Sequence, residues 1–163
     1  AIKTKSKSKP AVLGSRALLI TKGRIMLTTL CLALAIYHEA RGENHNAQLA
    51  ISKVIYNRME SKRWPETVCE VILEPKQFSF VKNGRVSVPK NAKSWQKSYV
   101  LAEKITKNPE ILPIMDADHY HSVKVKPVWR KKLYRIVRIG NHVFYSYKKP
   151  NPLKTSLIPQ IRR

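Results

Sequence analysis

At 163 residues, 43% of them apolar, the chain has the length of one domain and enough apolar content for a real core, which excludes a disordered chain. Its 32 Lys and Arg face only 10 Asp and Glu, a formal net charge of +22. Charge of that size attracts polyanions; nucleic acid, teichoic acid, lipopolysaccharide and anionic peptidoglycan all qualify, so charge alone does not choose among them.

No acidic residue precedes Glu39. Residues 1–24 carry Lys3, Lys5, Lys7, Lys9, Arg16, Lys22 and Arg24 and read as a flexible basic arm, either solubilising or docking on an anionic surface. Ile25 to Tyr37 is a nearly continuous apolar run with positive charge before it. It has the look of a signal-peptide core, with Ala33-Leu34-Ala35 as a cleavage site, but cleavage there strips the next segment of its supporting helix. The run itself is too short to cross a membrane, and no membrane span is expected.

Leu27 to Ala40 is predicted as a buried helix ended by Gly42. A second helix is expected from Asn46, as its N-cap, to about Ser61, with Leu49, Val54, Ile55 and Met59 as its buried stripe. Trp64-Pro65 breaks the chain, Thr67 to Leu73 reads as a short helix, and Asn83-Gly84 as a turn. Lys93 to Lys107 is predicted as a third long helix, with Tyr99, Val100 and Ile105 on its buried side, stopped by Asn108-Pro109. Beyond it, His119 to Val123 and Tyr134 to Tyr147 are rich in β-formers, with Gly140-Asn141 as a hairpin turn. Residues 25–147 thus form one α+β domain, mainly helical with a small C-terminal antiparallel sheet, and 148–163 a basic, Pro-containing tail. Cys31 and Cys69 fit either one disulfide or two buried thiols, and their apolar surroundings favour thiols.

With ten carboxylates the search for a catalytic acid is short. Glu60, Glu66, Glu70, Glu74, Glu103 and Glu110 lie among lysines or on helix surfaces and read as solvated charges; Asp116 and Asp118 flank a polar strand. Glu39 differs, because it closes the most apolar helix of the chain. Burial against an apolar wall disfavours the carboxylate and raises its pKa, which is what a glycosidase general acid needs; the bland alternative is a buried Glu paired with Arg41 or a lysine. Glu43 is either a second carboxylate of a glycosidase pair or, the reading preferred here, a structural acid paired with Arg41 or Arg58. His119 and His121 alternate along a strand and so face one side, where they line a cleft or orient Glu39. Gln77 and Ser79 are candidates for hydrogen bonding to sugar, and Phe78 for stacking or packing.

The segment Tyr37-His38-Glu39-Ala40-Arg41-Gly42-Glu43 resembles the Tyr-x-Glu-Ala-Arg-Gly-Glu signature of the spore-cortex-lytic (SleB-type) cell-wall hydrolase family. Further segments resemble the family in the same order: Val54-Ile55-Tyr56-Asn57-Arg58, Trp64-Pro65 through Ile72, Gln77-Phe78-Ser79-Phe80, Ala117-Asp118-His119-Tyr120-His121, Trp129, and Ile139 through Tyr145. The resemblance covers about residues 30–147 and departs from the usual pattern at Asn44-His45-Asn46 and at Met115-Asp116-Ala117-Asp118. It implies a lysozyme-like fold acting on the β-1,4 bond between N-acetylmuramic acid and N-acetylglucosamine, as a lytic transglycosylase or muramidase, with Glu39 as catalytic acid. Gln77, Phe78, Ser79, His119 and His121 are then the substrate-binding candidates, with Arg41, Glu43, Asn57 and Arg58 in support.

No cofactor and no metal is expected. A zinc site drawn from His38, His45, His119, His121, Asp116 and Asp118 is the sharper rival, but Gly42 stands where a zincin helix has its second His. The other rival is a basic nucleic-acid-binding module, with Trp129 among Lys126, Arg130, Lys131 and Lys132 as an exposed platform. It lacks a recognised motif and leaves the Glu39 segment unexplained. The expected setting is the bacterial cell wall or periplasm. The expected partners are peptidoglycan strands and, through the basic surface, anionic envelope polymers. A monomer is expected, encoded by a phage as an endolysin or by a bacterium remodelling its own wall.

Overall fold

A computed structural model describes residues 15–156. The expected arm and tail therefore lie outside the described residues at 1–14 and 157–163. Ser15 to Arg24, expected within the arm, are helical.

Helix α1 runs Ser15–Ala35 and continues as a π-helical turn, Ile36–Ala40. Only its carboxy-terminal part is core: Leu32, Ala33, Ala35 and Ile36 are fully buried and Tyr37 nearly so. Each large apolar side chain taken out of water there is worth about 1.5–3 kcal/mol. The expectation of a run too short for a membrane measured Ile25 to Tyr37 alone. The unbroken helix makes Ala17–Ala40 long and apolar enough to cross one by length and composition, with about a third of its most apolar stretch buried in the fold.

Helix α2, His45–Met59, is capped by Asn44, whose Oδ1 accepts from the Ala47 amide at 2.9 Å. The predicted cap, Asn46, lies inside the helix; Asn44 takes the role because its backbone is extended. The buried stripe of α2 is Ala47, Ala50, Ile51, Val54 and Ile55, with Leu49 and Met59 only half buried. Helix α3, Val68–Leu73, starts at Thr67, whose hydroxyl accepts from the Glu70 amide. Strands β1, Val81–Lys82, and β2, Arg85–Val86, form a hairpin through Asn83 and Gly84, both at positive φ as a tight primed turn requires. Helix α4, Ala92–Lys107, is capped by Asn91 and buries Ser98, Leu101, Ala102 and Ile105; Val100, expected inside, faces solvent.

The last part is a three-stranded antiparallel sheet in the order β3-β5-β4: His119–Ser122, His142–Ser146 and Tyr134–Ile139. The central β5 is buried along its whole length. Gly140 takes φ +57° in the turn between β4 and β5. A short helix α5, Pro152–Ser156, follows, and its Lys154 pairs with Asp116 at 2.9 Å.

Two apolar clusters result. One gathers the end of α1 with α3, α4, Phe78 and Phe80. The other joins Ala40 and the inner face of α2 to Met115, Ala117, Ile139 and Phe144. Tyr120 of β3 packs against both. The α+β prediction, helices first and a small sheet last, matches this architecture.

Cys31 and Cys69 are not buried thiols: they form a disulfide joining α1 to α3, with the Cα atoms 5.3 Å apart. The tertiary fold brings the two together across 38 residues of sequence, which the local apolar context of each cannot reveal. Closing a loop of that length removes chain entropy from the unfolded state. Replacing both cysteines by serine should lower unfolding stability by about 2–4 kcal/mol, read from urea denaturation with and without reductant.

Candidate active site

Glu39 enters the site because α1 ends in the core rather than at the surface. The two residues before it are pinned. Tyr37 Oη accepts from the backbone amides of Lys90 and Asn91 at 3.0 Å each, and the Arg41 guanidinium lies 4.6 Å from the centre of its ring. His38 stacks on Phe80 and donates through Nε2 to the Ser87 carbonyl at 2.8 Å. With both of these fixed, the Glu39 side chain turns toward β3, where Tyr120 Oη donates to its Oε2 at 3.1 Å.

Burial raises the Glu39 pKa above the ordinary carboxylate value; the Tyr120 hydrogen bond and the charge of Arg58 pull the other way and do not cancel it. Tyr120 is itself pushed well up, by burial first and then by the carboxylate beside it, so it stays a donor. Arg58 is 5% exposed, lies over the Trp64 ring at 4.3 Å and donates through Nε to the Asp118 carbonyl at 2.7 Å. Burial lowers its pKa, while Tyr120, Asp118 and Glu39 raise it. Asn57, one residue earlier, donates to the carbonyls of Met115 and Ala117 at 2.8 Å each. Together Asn57 and Arg58 fix the end of α2 to the chain entering β3.

Glu39 opens into a cleft of about 340 Å³. Gln77, Phe78 and Ser79 line one side, Tyr120, His121 and Ser122 another, and Val125, Pro127 and Trp129 the rim, with Arg58 and His142 completing it. Of the sequence candidates, Glu39, Gln77, Phe78, Ser79 and His121 therefore share one cavity. His119 does not line it. Its Nδ1 pairs with Asp118 Oδ1 at 2.7 Å, and its ring packs between Trp64 and Trp129. The two histidines do share a side of β3 around Trp129, but the acid is met from the residue between them. Trp129, expected as an exposed platform, is half buried against His121 and Tyr145.

Glu43, expected as a structural acid, has partners other than those expected. Its Oε2 accepts from the Asn141 amide at 3.2 Å and its Oε1 stands 3.5 Å from His142 Nδ1; neither Arg41 nor Arg58 is its ion-pair partner. Burial lowers the His142 pKa, Glu43 raises it and His121 lowers it. His121 Nδ1 donates to the Ser122 carbonyl, which leaves Nε2 to accept from Tyr145 Oη at 3.1 Å. Tyr120 and His142 are the site residues that sequence reading missed. Strand alternation puts Tyr120 on the face of β3 opposite the two histidines, which is the signal that could have found it.

Among the described residues no three or more His, Cys, Asp or Glu side chains gather as a metal site, so the proposed zinc ligands are dispersed. A larger hollow of about 590 Å³ beside Lys62, Arg63, Lys148 and Lys149 includes Asp116 and Asp118, but both already have partners: Lys154 for Asp116, His119 and the Tyr147 amide for Asp118.

A profile described as Cell Wall Hydrolase matches residues 42–145. The chain belongs to the cell wall hydrolase family. It is 34% identical over 113 residues to the spore cortex-lytic enzyme of Bacillus subtilis (strain 168), an alignment covering 69% of this chain and 35% of that protein. It is 43% identical over 63 residues to the enzyme of the same name from Oceanobacillus iheyensis, covering 39% and 23%. The chain thus spans about a third or less of the curated relatives it matches. Among solved structures it resembles the catalytic domain of the germination-specific lytic transglycosylase SleB from Bacillus anthracis (TM-score 0.59, 30% identity, 73% of this chain and 93% of that one). The SleB catalytic domain of Bacillus cereus is similar too (TM-score 0.57, 30% identity, 73% and 89%). The lysozyme-like fold expected from the signature agrees with these likenesses.

The β4–β5 turn of this member of the cell wall hydrolase family favours glycine at position 140. A Cβ there would sit 2.5 Å from Glu43 Oε2 and 3.3 Å from Ala47 Cβ, at a φ that L-residues resist. Gly140→Ala should cost about 1–3 kcal/mol and loosen the Asn141–Glu43 hydrogen bond, seen as a lower Tm and faster exchange of the Asn141 amide.

Proposed function

We propose that this domain cleaves the glycan strand of peptidoglycan at the MurNAc-β-1,4-GlcNAc bond, with Glu39 as a single general acid and base. The observation that carries the reading is a carboxyl group whose burial keeps it protonated beyond the usual range, opening into a sugar-sized cleft. Gln77 and Ser79 supply polar contacts to N-acetyl and hydroxyl groups, while Phe78 and Trp129 supply apolar walls. Two similar structures carry the name SleB, one of them titled a lytic transglycosylase, which supports the same chemistry.

Glu39 is the sole carboxylate lining the cleft among the described residues. A second carboxylate at the spacing of a retaining or inverting glycosidase pair is not supplied by Glu43, which is spent on Asn141 and His142. One carboxyl group suffices for an internal displacement. Glu39 gives its proton to the glycosidic oxygen as the bond to C1 breaks. The muramyl 6-hydroxyl oxygen attacks C1, and its proton passes to Glu39, restoring the acid. The product is a 1,6-anhydro sugar, and no water enters. In this scheme Tyr120 is a positioning residue that aims the Oε2 edge without taking part in bond exchange.

The disulfide suits an oxidising compartment such as the cell wall or periplasm, and the charge of +22 suits an anionic envelope. A nucleic-acid-binding role has no comparable observation behind it.

Glu39→Gln should abolish lysis of purified peptidoglycan by about 10²–10⁴-fold, since an amide has no proton to give, while the circular dichroism spectrum stays that of the parent. Full lysis by that variant refutes the assignment. Muropeptide mass spectrometry should find products lighter by one water than the hydrolytic ones; reducing ends instead would convert the reading to a muramidase. Because the tyrosine hydrogen bond lowers the Glu39 pKa, Tyr120→Phe should raise it further. Activity depends on the protonated form, so the high-pH limb of the kcat profile should move to higher pH in Tyr120→Phe, with kcat lower by about tenfold.

A further inference from the structure

Helix α1 is apolar over most of its circumference, yet only its carboxy-terminal part has a core to enter. Ahead of Cys31, the side chains of Leu18, Leu19, Ile20, Ile25, Met26, Leu27 and Leu30 are exposed, Leu19 by 68% and Met26 by 66%. At 100° per residue these seven positions spread over about 220° of the helix, far wider than one stripe, with Thr21, Arg24 and Thr28 in the remaining arc. A groove or a neighbouring helix covers a stripe of about 100°; an apolar face twice that wide with basic residues beside it suits the boundary between headgroups and acyl chains in a bilayer. The backbone of such a segment carries its hydrogen bonds internally, which is the condition for entering lipid.

The charges nearby have one sign. Lys22 and Arg24 sit within the exposed stretch, and no acidic residue comes earlier in the sequence. We propose that the segment from Ala17 to Leu30 docks the domain on an anionic phospholipid bilayer by entering one leaflet.

The exposed apolar length among the described residues favours entering over crossing. From Ala17 to Leu30 the helix is about 20 Å long, short of the roughly 30 Å of hydrocarbon in a bilayer. The residues that complete a membrane-crossing length, Cys31 to Ala40, are committed to the core and held there by the bond from Cys31 to Cys69. Lys22 and Arg24 have stems long enough to keep their charges among lipid phosphates while the leucines sink past them. Glu39 lies roughly 14 Å further along the helix than Leu30, so the cleft stands off the lipid surface. The inference does not depend on the chemistry proposed for the cleft.

The test is co-sedimentation of the full chain with vesicles of phosphatidylglycerol and phosphatidylcholine, and with phosphatidylcholine alone, at low and high salt. The parent should bind the mixed vesicles best and keep a substantial bound fraction at high salt, where exposed charge pairing is screened but apolar burial is not. Leu19→Glu/Met26→Glu, two exposed positions outside the core, should fold as the parent does by circular dichroism and bind about tenfold less or weaker. Equal binding by the double variant, or binding that vanishes with salt, would reduce the contact to surface charge and overturn the proposal. So would a dimer in solution that fails to bind vesicles, because a second copy would then cover α1. In an Ile20→Trp variant, the added emission should shift to the blue and be quenched by brominated acyl chains; emission that stays solvent-like refutes leaflet entry.

Discussion

The end of α1 buried between two apolar clusters is the constraint on which the rest of the molecule depends. Leu32, Ala33, Ala35 and Ile36 fill the first cluster and Ala40 belongs to the second, so the helix carries Glu39 across the seam between them. Partial burial there costs the charged form of the carboxyl group solvation that a single tyrosine hydroxyl and a neighbouring guanidinium do not replace. The raised pKa is thus a consequence of topology, not of a special local partner.

Each of the other elements keeps that seam from closing or opening too far. The disulfide ties α1 to α3 on the first side. On the second, Asn57 and Arg58 hold the chain entering β3, which presents Tyr120 to the acid. Tyr120 packs against both clusters, so moving either lobe moves the hydroxyl that aims Glu39. Glu43, Asn141 and His142 close the far wall through contacts that need a glycine at the turn. Glu39 is the lone carboxylate lining the cleft among the described residues.

The same helix meets a different environment at each end. Its carboxy-terminal part is surrounded by protein, and its amino-terminal part turns a broad apolar face outward, with charged groups of one sign beside it. One continuous element links the surface on which the domain docks, in the reading argued above, to the group proposed to do its chemistry.

Local sequence determined much of this. The apolar run ending at Glu39, the Thr67 start of α3, the Asn83-Gly84 and Gly140-Asn141 turns and the late β-formers depend on neighbours within a few residues, so they were legible in order. Glu39 stood out for the same reason, as the one acid at the end of a greasy segment. Other features required distant parts of the chain to meet. Cys31 finds Cys69 only once α1 lies on α3; Glu43 chooses His142 over a nearer arginine because β5 returns beside it; and His119 gives way to Tyr120 at the acid because β3 turns its core face toward α1. Spacing along a chain fixes which side of a helix or strand a residue occupies, whereas packing decides what stands opposite it.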